Sequence, residues 1–398
     1  MGTFSRTVAV VVTGLVLAAC SGTDPGANPA VSGTTNQPSS SSSATAAGSM
    51  PWPEPAVSTL PTDRAAAMLA VMQSWVDKGL MPGATAAVVS PGGSWSAAVG
   101  VDGLGKQLQP TSGMALAHVT QTFVAAEALL LAEQGKLDLD VPASTYVPTR
   151  QLANGATVRQ LLAQRSGIAD PGPEPYVALY TEPDAHWSTA QALAPIPKST
   201  ATPGGAYSEN AANYVLAGLV IDKVTGRSTA AAIDRDLWTP LGLERLAYQD
   251  QQTLPEPIAA PGEDFALDLP DGSTGRPYLP FRSLASATAA SQGVAGDAAS
   301  VARWGYALYG GEVLTPESVA QLIDFGDDGY GLATVDFTND QWFEWNIDGY
   351  GIPGGVPGYR SALVVHPEQQ LSVAFLIPSG AEALPYAHYL VNAGRLLE

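Results

Sequence analysis

Ala117-His118-Val119-Thr120-Gln121-Thr122-Phe123 opens the stretch on which this chain turns, and Glu133-Gln134-Gly135-Lys136-Leu137-Asp138-Leu139-Asp140 closes it. Residues 119–134 are apolar almost all round, with Phe123, Ala126, Leu129 and Leu130 distributed over the helical faces. A helix with no polar face is a buried one, and Gly135 supplies its stop, because glycine enters left-handed backbone without penalty. A second such helix is expected over residues 213–224, ended by Gly226. Upstream, Asp63 starts a helical pattern through Met68, Leu69, Met72 and Trp75 that Gly79 stops. Residues 84–90 and 95–101 read as strands joined through Pro91-Gly92-Gly93. Downstream, residues 299–308 and 316–325 look helical. Strands at 359–366 and 371–377 flank Pro367-Glu368-Gln369-Gln370, and a helix over 383–397 follows. Strands at both ends and helices between them predict an α/β (α+β) domain over residues 63–398. Its antiparallel sheet is formed by both chain ends, with flanking helices and an inserted helical subdomain.

The 398 residues carry 18 Lys+Arg against 37 Asp+Glu, a net charge of −19. A chain this acidic offers no basic stripe to phosphates, so nucleic-acid binding is excluded, and anionic headgroups repel it. Membrane attachment therefore needs a lipid or a spanning segment. Residues 7–19 form an uncharged, largely apolar run after Arg6, too short to span a bilayer, and Leu17-Ala18-Ala19-Cys20 follows. Small residues before a lone cysteine resemble the lipobox of bacterial lipoproteins. That resemblance implies a signal peptide over 1–19, cleavage before Cys20 and acylation of its thiol. It places the protein on the extracytoplasmic face of the cell membrane. Residues 20–62 are Ser/Thr/Gly/Pro/Ala-rich with only Asp24 and Glu54 charged, the composition of a disordered tether. One cysteine excludes disulfide frameworks and cysteine-rich metal sites. His118, His186, His366 and His388 show no metal spacing, and no phosphate loop or Gly-x-Gly-x-x-Gly occurs, so no metal and no cofactor are expected. His366 and His388 read as structural or exposed.

Residues 63–398 resemble the serine β-lactamase and penicillin-binding-protein-like hydrolases: class C β-lactamases, DD-peptidases and related esterases. The markers run in the family's order. They start with Thr122-Phe123 and the turn from Gly135 to Asp140, then Leu161-Leu162-Ala163-Gln164-Arg165-Ser166-Gly167-Ile168, then Pro203-Gly204. Asn213-Tyr214-Val215-Leu216-Ala217-Gly218, Val224-Thr225-Gly226, Pro240-Leu241-Gly242-Leu243 and Gly354-Gly355-Val356-Pro357-Gly358-Tyr359 follow. The resemblance implies a β-lactamase/transpeptidase-like fold and a cleft between sheet and helical subdomain.

That family's chemistry needs Ser-x-x-Lys on one helix face, where a neutral lysine takes the serine proton. It also uses Tyr-x-Asn and a His-x-Gly or Lys-x-Gly strand. Here the serine and lysine positions are held by His118 and Gln121. The Tyr-x-Asn positions fall on Glu209 and Ala211, and the strand positions on Ile352 and Gly354. A register slip does not restore them. Three residues before Lys78, Lys106, Lys136, Lys198 and Lys223 stand Trp75, Gly103, Glu133, Pro195 and Val220. No Gly-x-Ser-x-Gly elbow substitutes. No catalytic residue is therefore assigned.

Several features keep two readings. Ser208-Glu209-Asn210 fits the Ser-x-Asn of other β-lactamase classes, or else Ser208 and Asn210 cap the following helix. His118 and Glu209 form either a new acid/base or ligand-binding pair, or the residue of drift in a vestigial groove. That candidate groove comprises His118, Glu209, Tyr207, Ser208 and Asn210. Residues 317–348 hold eight acidic and no basic residues, with Tyr330, Trp342, Phe343 and Trp345. They read as a half-buried strand with a solvated acidic face, or as aromatics able to stack on a sugar or peptide. The expected function is non-catalytic binding of cell-wall peptide, glycan or an envelope protein. The alternatives are a serine hydrolase with displaced catalytic residues and a purely structural partner.

Overall fold

The computed structural model describes residues 50–262, 278–339 and 347–397. Its centre is a six-stranded antiparallel sheet in the order β2-β1-β9-β8-β7-β6. Strands β1 (Gly83–Ser90) and β2 (Gly93–Gly100) come from the start of the domain. Strands β6 (Val335–Asp336), β7 (Tyr350–Val356), β8 (Tyr359–His366) and β9 (Leu371–Ile377) come from its end. β1 pairs with β9, Val88 opposite Val373, which closes the two chain ends into one sheet. A small sheet of β3 (Met114–Ala115), β4 (Ala247–Tyr248) and β5 (Val294–Gly296) lies apart, in the order β3-β5-β4.

Side chains alternate across a strand, and both faces of this sheet are covered. On β8, Ala362 and Val364 join the core beneath α1 (Thr62–Asp77) and α12 (Leu384–Ala393), with Met68, Met72, Trp75 and Leu390. Leu363 and Val365 point the other way, into the larger core with Phe123, Trp238 and Trp304. This explains why these strands read as apolar runs rather than alternating ones. The larger core holds α2 (Val119–Glu133), α10 (Ala298–Tyr309) and α11 (Pro316–Leu322). The intervening helical part contains α3 (Val158–Leu162), α4 (Val177–Thr181), α5 (Thr189–Leu193) and α6 (Ala211–Thr225). It continues through α7 (Thr229–Ile233), α8 (Thr239–Leu241) and α9 (Arg282–Gln292). α10 lies close on the sheet because Gly305 lacks a side chain. A Cβ there would stand 2.4 Å from Ser372 Oγ and 2.5 Å from a Leu363 methyl.

Three expectations are corrected. The tether does not run to residue 62: Trp52 is buried edge-to-face on Tyr306, and its backbone N–H donates to Gly310 O. Ser58 and Leu60 hydrogen-bond across to Ser94 on the edge strand β2. Two apolar side chains in a polar composition are enough to seat this segment. Residues 317–348 are not one half-buried strand: α11, turns and two-residue β6 make up the described part, and Tyr330 and Tyr350 are buried. The helices expected over 316–325 and 383–397 are shorter, and α9 and β7 went unread, since the alanine/serine run of α9 and the glycines of β7 carry little periodic signal. The signal peptide, Cys20, residues 21–49 of the tether and Trp342, Phe343 and Trp345 lie outside the described residues.

Candidate functional site

The site forms where α2 begins. β3 leads into it, pairing Met114 with Gly296, and Leu116 N–H donates to Val294 O at 3.0 Å. Ala117 then takes a positive φ of 48°, strained for alanine. Its surroundings hold it there: Ser361 Oγ donates to Leu116 O at 2.8 Å, and Gly354 packs beneath. A Cβ on Gly354 would come within 2.7 Å of Leu116 O. The strained turn delivers His118 to the head of α2.

His118 Nε2 lies 2.9 Å from Glu209 Oε1, and the two side chains remain 19% and 23% exposed. Gln292, at the end of α9, also reaches Nε2, at 2.7 Å. A protonated Nε2 serves the carboxylate as donor, so the Gln292 amide must then present its oxygen. Burial acts to lower the His118 pKa, but the charge and hydrogen bond of Glu209 outweigh it and the net shift is upward. Burial likewise raises Glu209, and the His118 charge and bond reverse that to a net lowering. Both shifts favour the imidazolium–carboxylate pair.

Gln121, one turn along, is buried with its amide spanning two partners. Nε2 donates to Ser291 Oγ at 3.2 Å, and Oε1 accepts from Tyr330 OH at 3.2 Å. The end of α9 thus supplies a partner to both His118 and Gln121. Tyr207 packs its ring 4.7 Å from that of Tyr330.

Asn210 is the cap of α6: its Oδ1 accepts from Ala212 N–H at 2.9 Å. The capping reading holds for Asn210 but not for Ser208, whose exposed residue is tied instead through its backbone N–H to Gln164 O at 2.9 Å. Gln164 binds this segment further, its Oε1 accepting from Asn210 N–H and from Asn213 Nδ2. Ala211 opens α6, half-buried. Ile352 is buried in the larger core opposite Leu363. His118, Glu209 and Gly354 are therefore gathered at one place, whereas Ile352 fills core and Ser208 stands outward. His366 is buried, and burial pushes its pKa down to about 4, so it is a neutral core side chain. Among the described residues no three His, Cys, Asp or Glu side chains are placed to hold a metal ion.

Sequence reasoning did not single out Gln292 and Ser291, and it named Tyr330 only as an aromatic able to stack on a ligand. Each joins α2 from more than 160 positions away, and no local spacing signals such a contact. Arg360, on β8, is near enough for its charge to act on His118.

Residues 66–390 match the family described as Beta-lactamase. Among curated relatives, Protein flp of Staphylococcus aureus (strain COL) is 27% identical over 193 residues, 45% of this chain and 37% of that protein. Esterase EstB of Burkholderia gladioli is 28% identical over 194 residues, 42% of this chain and 49% of that protein. The chain thus matches less than half the length of either relative. Among solved structures, a D-stereospecific amidohydrolase from Streptomyces sp. superposes with a TM-score of 0.67 at 23% identity. The match covers 82% of this chain and 98% of that one.

Proposed function

This chain belongs to the beta-lactamase family, and from that premise we propose that its domain binds a cell-envelope ligand without serine acyl transfer. The observation that carries the reading is the His118–Glu209 pair at the head of α2, with Gln121 locked between Ser291 and Tyr330. Acylation needs a hydroxyl beside a neutral amine or a comparable base. At the expected positions stand an imidazole held by a carboxylate and an amide whose hydrogen bonds are spoken for. The proposed ligand is a cell-wall peptide, glycan or envelope protein seated by the groove of Tyr207, Glu209 and His118. Lipid on Cys20 would hold the domain at the extracytoplasmic face of the cell membrane.

The test is covalent labelling. Incubation with a labelled penicillin should leave the intact mass unchanged, and a chromogenic cephalosporin should not be hydrolysed. His118→Ser alone should restore nothing, because Gln121 cannot accept the proton. Combined reversion of His118, Gln121, Glu209, Ala211 and Ile352 should recover little, since no supporting shell positions the new groups. A stoichiometric adduct on the unaltered protein overturns the proposal. It would favour the second reading, a serine hydrolase with displaced residues, which the likeness to Esterase EstB supports.

A further inference from the structure

Ser361 of β8 faces the head of α2, so its alternate neighbours Ala362 and Val364 face α1 and α12 instead. His366 continues that second row at the end of the strand. There it meets His388 of α12, with ring centroids 6.1 Å apart and planes tilted by 39°. His366 is only 1% exposed. Three of the four ring nitrogens in this pair, His366 Nδ1 and Nε2 and His388 Nδ1, are sealed from water and make no hydrogen bond of ordinary geometry. Buried polar atoms nearly always have a partner, and an ion is one of the few groups that satisfies two facing imidazoles at once.

The outer edges of both rings are held. His366 Nδ1 turns to the backbone of residues 348–349, 3.3 Å from where a Cβ on Gly349 would stand, and the Asp348 backbone favours a proton there. His388 Nε2 lies 2.9 Å from the side-chain amide of Asn392, one turn further along α12. The two ends of that amide are interchangeable. With its oxygen toward the ring, Nε2 carries the proton and Nδ1 keeps its lone pair. Burial pushes the pKa of both rings down, which favours the neutral imidazole that binds metals.

We propose that His366 Nε2 and His388 Nδ1 hold a cuprous ion between them, on the face of the sheet opposite the groove and independent of what that groove binds. Two imidazoles bonded at about 2 Å each to one ion have ring centres roughly 6 Å apart when the angle at the ion is wide. A tetrahedral zinc site brings the centres closer and needs further ligands, and among the described residues no third His, Cys, Asp or Glu is placed to supply one. Copper suits imidazole donors, and its monovalent form is stable with two. A backbone carbonyl on one ring and an amide on the other are the outer partners that orient metal-bound histidines. The exposed Asp348 carboxylate acts on both rings and favours a cation beside them.

The test uses the full chain carrying Cys20→Ala, since a free thiol is a competing cuprous ligand. Under nitrogen with ascorbate, this protein should take one equivalent of copper from a chromogenic cuprous chelator. Cuprous copper is diamagnetic, so proton NMR reads the site directly. Of the four histidines, the ring signals of His366 and His388 should move, and those of His118 and His186 should stay. His388→Gln removes a ligand from a half-buried position and should abolish uptake, so the test does not depend on a variant at the buried His366. Asn392→Leu leaves both ligands in place and should weaken uptake about tenfold, the scale for losing an outer partner. X-ray absorption of the loaded protein should show two nitrogen neighbours. Absence of uptake, uptake unchanged in His388→Gln, uptake that leaves both ring signals in place, or displacement of the copper by zinc overturns the inference.

Discussion

Glu127 sits in the middle of α2 with no exposed surface, and both of its oxygens are sealed from water. Burial and the nearby Asp236 carboxylate push its pKa up to about 7, against weaker pulls from Arg235 and Lys136. In the unfolded chain the same group titrates near the ordinary glutamate value. A folded pKa raised in this way contributes stability that is fully present below the unfolded value of 4.5 and is lost as pH rises from there to the folded value of about 7. The melting temperature should therefore decline from about pH 4.5 to about pH 7 and level off above that, and the ionised carboxyl costs the fold at most about 3 kcal/mol. Glu127→Gln keeps the shape without the charge, so thermal melts of the variant should lose most of that decline. An unchanged pH profile would mean that the buried carboxyl finds a partner when it ionises.

At the scale of elements, the segment before α1 behaves as a strap. Trp52 covers the end of α10, Tyr306 OH donates to Pro53 O at 2.7 Å, and residues 58–60 dress the free edge of β2. Removing residues 1–49 should leave the melting temperature unchanged, whereas removing 1–61 should lower it. Trp52→Ala alone should cost about 3 kcal/mol, the scale for emptying a large aromatic site, read as a shift in the denaturant midpoint. The turn before α2 is a second element under close constraint. Gly354→Ala would press on Leu116 and the strained Ala117, so it should loosen His118 from Glu209, visible as a fall of the His118 pKa toward its ordinary value.

For the whole molecule, the attachment proposed at Cys20 is separable from folding. The domain is closed by its own β1–β9 pairing, and no described helix is long and apolar enough to cross a membrane. Expressed in a bacterium that acylates lipoproteins, Cys20→Ala should therefore leave the domain folded and move it out of the membrane fraction. A variant that fractionates like the wild type would refute acylation at Cys20. Combined with the covalent-labelling result, this outcome separates where the protein works from what it does there.

The apolar runs of α2, α6, β8 and β9 and the stops at Gly135 and Gly226 were legible in the sequence because burial on every side leaves a local mark. So was the family frame, whose markers lie in order along the chain. The seating of Trp52 was not legible, since a single aromatic in a tether-like composition gives no period to read. Neither were the partners of the site. Gln292, Ser291 and Tyr330 hydrogen-bond to His118 and Gln121 from more than 160 positions away, and a contact between residues so far apart is a property of the tertiary packing rather than of neighbouring residues. The sequence alone determined which side chains stand at the head of α2. The tertiary structure decided that the imidazole there meets Glu209 and Gln292 through one ring nitrogen.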